Sequence, residues 1–98
     1  MRKSVTHLLS SLLLLGCASA PIQEMSDARQ AINAARAVMD AGTSAALRED
    51  FERAETLLED AETELRAGEY SKARRYAEEA KLLAIEARER AGEASSSN

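Results

Sequence analysis

The sequence predicts an all-α protein, a small antiparallel three-helix bundle in which a helix hairpin follows a first helix. Three observations favour this fold class. Apolar residues recur at spacings of three and four along most of the chain, and Ala, Leu, Glu and Arg dominate its composition. The apolar stripe also changes phase at two isolated glycines, Gly42 and Gly68, which indicates turns between packed helices.

A stripe on one face predicts the first helix, with Ser26 or Asp27 as its start cap and Gly42 at its end. The stripe consists of Met25, Ala28, Ile32, Ala35 and Met39. Continued at the same spacing, it would reach Glu49 and Arg53, which are charged. The apolar face therefore does not pass through Gly42 as it would in one long coiled coil.

Thr43 or Ser44 is predicted to cap the second helix, and Gly68 to end it. Its apolar stripe consists of Leu47, Phe51, Ala54, Leu58, Ala61 and Leu65. Beyond Gly68 the stripe would continue into Lys72 and Glu79, so a turn is favoured here as well. The tight connection makes the second and third helices a hairpin.

The third helix is predicted to present a stripe of small residues, with Gly92 beyond its end. The stripe consists of Tyr70, Ala73, Ala77, Ala80, Ala84, Ala87 and Ala91. Alanine lets two helix backbones approach closely, so the packing residues predicted here are Ala73, Ala77, Ala80 and Ala84 together with Phe51, Leu58, Leu65 and Tyr70. We expect Tyr70 and Tyr76 to pack at the mouth of the hairpin and along its edge.

The first 16 residues have the layout of a secretory signal peptide. Arg2 and Lys3 precede a mostly apolar run at residues 5–15, which is shorter than the roughly 20 residues of a membrane-spanning helix. Leu14-Leu15-Gly16-Cys17 resembles a bacterial lipobox. The resemblance implies cleavage between Gly16 and Cys17 and attachment of lipid to Cys17. The alternative is an ordinary signal peptide cleaved at Ala18-Ser19-Ala20.

By the same resemblance, the chain is expected on the bacterial outer membrane, facing the periplasm. Ala18 follows the cysteine where an inner-membrane retention signal would place Asp. Localisation at the inner membrane remains the alternative. The predicted division is a signal peptide at residues 1–16, a lipidated tether at 17–25, a helical domain at 26–92 and a disordered tail at 93–98.

Charge and composition exclude several classes of function. Without Arg2 and Lys3, 11 basic residues remain against 17 acidic ones, a formal charge of −6 that disfavours nucleic-acid binding. The single histidine, His7, lies in the leader. The neighbouring carboxylates Glu59-Asp60 and Glu78-Glu79 point about 100° apart on a helix. We therefore predict no enzyme, no metal, no cofactor and no small-molecule substrate.

Opposite charges also recur at the i, i+4 spacing that stabilises a helix surface. These predicted pairs are Glu49 with Arg53, Glu62 with Arg66, and Glu86 with Arg90.

Residues 65–80 carry L-x-x-G-x-Y-x-x-A-x-x-x-A-x-x-A, which resembles a tetratricopeptide helix-turn-helix, but no second copy occurs. A wider resemblance joins the lipobox, A-x-x-A-I-x-x-A-R at residues 28–36, F-x-x-A-x-x-x-L-x-x-A at 51–61 and G-E-Y-x-x-A-R at 68–74. This order is similar to small bacterial lipoproteins of domain of unknown function 4398. The resemblance implies a helical envelope protein, and the peptidoglycan-binding domain of some members cannot be carried over.

The leading expectation is a lipid-anchored periplasmic protein with a non-enzymatic structural or protein-interaction role in the cell envelope. Lipid on Cys17 would attach the protein to the membrane, and the bundle would bind an envelope protein of unknown identity. Two alternatives remain open: a tetratricopeptide-like adaptor subunit of an envelope assembly complex, and a self-associating coiled-coil lipoprotein.

Overall fold

A computed structural model describes residues 19–96, and in this range the chain forms three helices and no strand. They are α1 (Ile22–Val38), α2 (Ala45–Arg66) and α3 (Tyr70–Ser96). The predicted all-α three-helix bundle is confirmed. α3 is the longest element, with 27 residues, and so spans about 40 Å.

The first helix begins earlier than the sequence predicted. Pro21 is its N-terminal flanking residue, and no side chain caps it, so Ser26 and Asp27 lie inside the helix and the predicted caps are wrong. Proline suits this position because its fixed φ, here −79°, is close to the helical value. Residues 22–25 of the predicted tether are therefore helical, and Met25 is only 1% exposed.

Local chemistry ends α1 and starts α2. Asp40 Oδ1 accepts a hydrogen bond from the Gly42 amide at 2.8 Å, and the Asp40 amide donates to Thr43 Oγ1 at 2.9 Å. Ser44 Oγ then accepts from the Leu47 amide at 3.3 Å, so Ser44 is the start cap of α2. Gly42 thus lies in the connection between the two helices.

Gly68 ends α2 with a Schellman motif. Its φ of +80° is the only positive value in the part of the chain that the structure describes. The Gly68 amide donates to the carbonyl of Leu65 at 3.1 Å, and the Glu69 amide donates to that of Glu64 at 2.9 Å. By contrast, Gly92 does not end α3, which continues to Ser96, so residues 93–96 of the predicted disordered tail are helical.

Ion pairs between the helices show the relative directions of the three helices. Arg36 in α1 binds Glu55 in α2 at 2.8 Å, while Arg29, earlier in α1, binds Glu62, later in α2, at 3.3 Å. These two helices are therefore antiparallel. Other pairs give the remaining directions: Glu24 with Arg74 and Asp27 with Lys81 join α1 and α3 in parallel, and Asp50 with Arg90 joins α2 and α3 antiparallel.

The core lies along the alanine stripe of α3, against which both other helices pack. α1 contributes the long side chains Met25 and Ile32, and α2 contributes Phe51. Six alanines of α3 are buried, namely Ala73, Ala77, Ala80, Ala84, Ala87 and Ala91. We call the two ends of the bundle the Gly68 end, where the chain leads into α1, and the Gly42 end.

Candidate interaction surfaces

The predicted packing residues occupy different depths in the bundle. Phe51 is buried, and Leu58 and Leu65 are half-buried against the core. Ala73, Ala77, Ala80 and Ala84 are all buried. Tyr70 is 38% exposed at the start of α3, so the expectation that it packs at the hairpin mouth is wrong for this residue. Gly16 and Cys17, predicted for cleavage and lipidation, lie outside the described residues.

A groove between α1 and α2, which we call the closed groove, is crossed by ion pairs. The Arg29–Glu62 pair spans it near one end and the Arg36–Glu55 pair near the other. The Arg36 guanidinium also lies over the Phe51 ring, 5.6 Å from its centroid. These side chains cover the apolar floor of the groove.

A second groove, between α2 and α3, is open. It encloses about 320 Å³ and is lined by Arg53, Leu57, Glu79, Leu82, Leu83 and Glu86. Leu57 and Leu83 are half-buried and form its floor, whereas Leu82 is 66% exposed. Leu82 therefore lies exposed beside the apolar floor of this groove. We call this surface the open groove.

The charges of the open groove are arranged differently from those of the closed groove. Glu86 binds Arg90 at 2.6 Å, and Arg90 also binds Asp50 at 3.3 Å. Arg53 and Glu79 form no ion pair among residues 19–96. The groove therefore has one cation and one carboxylate available to a partner.

Only one of the predicted i, i+4 pairs forms as an ion pair, that of Glu86 with Arg90. Glu62 binds Arg29 of α1 instead of Arg66. Arg53 does not bind Glu49. Glu62 therefore pairs with Arg29 on another helix, and spacing along α2 alone does not predict this contact.

The open groove has a sequence signal that the stripe analysis missed. Leucines occur in adjacent pairs at Leu57-Leu58 and Leu82-Leu83. Consecutive residues on a helix point about 100° apart, so one leucine of each pair must leave the core stripe. Leu82 is the exposed member of its pair, whereas Leu57 and Leu58 are both half-buried and line opposite grooves.

At the Gly68 end, Arg74 ties the start of the described chain to α3. Its Nη2 donates to the carbonyl of Ser19 at 3.3 Å, and its Nε lies 3.6 Å from Glu24 Oε2. Pro21 is fully buried here. The segment that leads from Cys17 is thus held against the bundle from Ser19 onward.

The remaining candidate residues from the sequence are acidic side chains on the surface of the bundle. No cluster of His, Cys, Asp or Glu between residues 19 and 96 could hold a metal ion. Glu59, Asp60, Glu78 and Glu79 are exposed on the bundle surface. None of the three helices is long and apolar enough to cross a membrane. What distinguishes the surface is therefore the open groove and the exposed apolar side chains.

The described residues form a small bundle of three helices with a shallow groove on either side of α2. Residues 23–98 match the family model described as Domain of unknown function (DUF4398), so the chain belongs to that family. Neither the curated proteins nor the solved structures gave a match.

Proposed function

We propose that this chain is a lipid-anchored protein of the bacterial outer membrane that binds a helix of another envelope protein through its open groove. The role is non-enzymatic. The observation that carries the proposal is the exposure of Leu82 beside two charges without ion-pair partners. The anchor rests on the likeness of residues 14–17 to a lipobox.

The groove favours a helix as its ligand because its apolar floor lies between two antiparallel helices. Asp50 pairs with Arg90, and Leu57 lies seven residues after Asp50 just as Leu83 lies seven before Arg90. Leu57 and Leu83 are therefore at one level along the antiparallel helices. Burying a fully exposed leucine contributes about 1.5–3 kcal/mol, and Leu82, which is 66% exposed, would contribute part of that to binding.

The charges give the bound helix a direction. Arg53 lies one turn from Leu57 toward the Gly42 end, and Glu79 lies one turn from Leu83 toward the Gly68 end. These two positions are about 12 Å apart along the bundle. A partner helix would place a large apolar residue between them, a carboxylate near Arg53 and a cation near Glu79.

Photo-crosslinking in intact cells tests the groove. A photoreactive residue at position 86, which lines the open groove and leaves Leu82 in place, is expected to capture the partner, while one at position 59, exposed in the closed groove, is not. Arg53→Glu should reduce capture at position 86, and Glu59→Arg should leave it unchanged. Equal capture at both positions, or capture insensitive to Arg53, contradicts the proposal. An adduct between two copies of this chain favours the self-associating alternative.

The anchor has its own test. Labelled palmitate should be incorporated into the wild-type protein in bacteria and be absent from Cys17→Ser. An unlabelled wild type beginning after Ala20 would support the ordinary signal peptide instead, and a labelled Cys17→Ser protein would contradict attachment of the lipid to Cys17. The tetratricopeptide-like alternative is less favoured because the α2–α3 hairpin at residues 45–96 is longer than that repeat of 34 residues.

A further inference from the structure

Two of the large apolar side chains exposed in the described part of the chain lie at the Gly68 end. Ile22, in the first turn of α1, is 66% exposed, and Tyr70, the first residue of α3, is 38% exposed. The others are Leu82 in the open groove and Val38, which is 40% exposed near the Gly42 end. The open groove leaves Ile22 and Tyr70 unexplained.

Ile22 and Tyr70 start parallel helices that are joined side by side. Arg74 contacts both the Ser19 carbonyl and Glu24, which places the first turns of α1 and α3 next to each other. The two side chains therefore belong to the same end of the bundle. Arg66 and Lys72 are exposed at this end as well, as is Glu69.

This end is also where the predicted anchor joins. Ala18 alone separates Cys17 from Ser19, and an extended chain covers at most about 3.6 Å per residue. A lipid on Cys17 would therefore hold the Gly68 end within about 7 Å of the headgroups. A tyrosine and an aliphatic side chain next to exposed Lys and Arg suit that depth, because their apolar parts enter the interface while the charged heads stay in water.

We propose that the Gly68 end rests on the lipid surface, with Ile22 and Tyr70 inserted among the headgroups and the helices standing away from the membrane. The inference rests on the proposed anchoring through Cys17. The ligand is phospholipid rather than protein, because the anchor allows no room for a folded partner between this end and the bilayer. In this orientation the open groove faces parallel to the membrane plane, and the Gly42 end lies about 40 Å from the membrane surface.

Tryptophan fluorescence tests the orientation, since the chain has no Trp of its own. The variants are Tyr70→Trp and, as a control of matched exposure at the other end, Val38→Trp. Each full-length protein is purified from bacterial membranes and reconstituted into phosphatidylethanolamine–phosphatidylcholine vesicles containing brominated lipid. Helical circular dichroism verifies that both fold. Tyr70→Trp should shift to the blue and lose emission to the brominated lipid, while Val38→Trp should keep its emission.

The outcomes separate this inference from the proposed anchor. Flotation with the vesicles is measured on the same samples. Protein that floats while Tyr70→Trp stays unquenched overturns the orientation but not the anchor. Quenching of both tryptophans also overturns it, since the bundle would then lie flat. Protein that fails to float overturns the anchor and this inference with it.

Discussion

The two grooves that flank α2 are both lined by Arg, Glu and Leu side chains, but they differ in whether the charged side chains form ion pairs across the groove. In the closed groove, Arg29 and Arg36 bind carboxylates on the facing helix. In the open groove, Arg53 and Glu79 form no ion pair within the described range, and Leu82 is exposed beside them. Paired charges therefore cover the apolar floor of one groove, whereas unpaired charges surround the floor of the other.

The largest expected effect on stability concerns the core beneath Arg36, a residue of the closed groove. Phe51→Ala removes a buried ring that also lies under Arg36, so we expect a loss of about 3–5 kcal/mol. Unfolding by urea, followed by circular dichroism, measures it. Leu57→Ala, in the half-buried floor of the open groove, is the matched control and should cost less. A larger loss for Leu57→Ala would contradict the distinction between the buried core under Arg36 and the half-buried floor of the open groove.

The alanine stripe behind both grooves gives the next effect. Ala80 is fully buried among the helices, so Ala80→Leu should destabilise the bundle by about 1–3 kcal/mol through overpacking. Glu78→Leu, two positions away on the exposed face, should stay within about 0.5 kcal/mol of wild type. Thermal melting of both variants measures the difference, and an unchanged or higher melting temperature for Ala80→Leu contradicts close packing.

The features that sequence predicted correctly depend on local chemistry. Ser44 caps α2 because its hydroxyl reaches the Leu47 amide. Gly68 ends the same helix because it alone takes a positive φ there. The alanine stripe of α3 follows from helical period and side-chain size. Each of these depends on residues within one or two turns of each other.

The features that sequence missed depend on contacts between distant residues or on context. Arg29 and Glu62 pair across 33 positions, and this pairing removes the local Glu62–Arg66 bridge. Gly92 has the same residue type as Gly68 but keeps a helical φ, so α3 continues past it. The exposure of Leu82 beside the half-buried Leu83 also depends on how α3 packs against the other two helices. Spacing along a single helix does not contain this information.

A double-mutant cycle measures the contribution of the charges. Both partners of the Arg36–Glu55 pair are partly exposed, so Arg36→Gln and Glu55→Gln should show a coupling of about 0.2–1 kcal/mol that weakens with added salt. The same cycle on Arg53 and Glu79, which do not meet in the isolated chain, should give no coupling. Coupling between Arg53 and Glu79 would mean that the open groove is bridged by its own charges.

The smallest effect on stability is expected at Leu82, where the effect on binding is largest. Because Leu82 is 66% exposed, Leu82→Ser should change the free energy of unfolding by less than about 0.5 kcal/mol. Leu83→Ser, at the half-buried neighbour, should cost more. With a photoreactive residue at position 86 in the same groove, Leu82→Ser should lose capture of the partner while the bundle stays folded. Retained capture would mean that Leu82 does not contribute to binding, and the open groove would then have no shown advantage over the closed groove as a binding site.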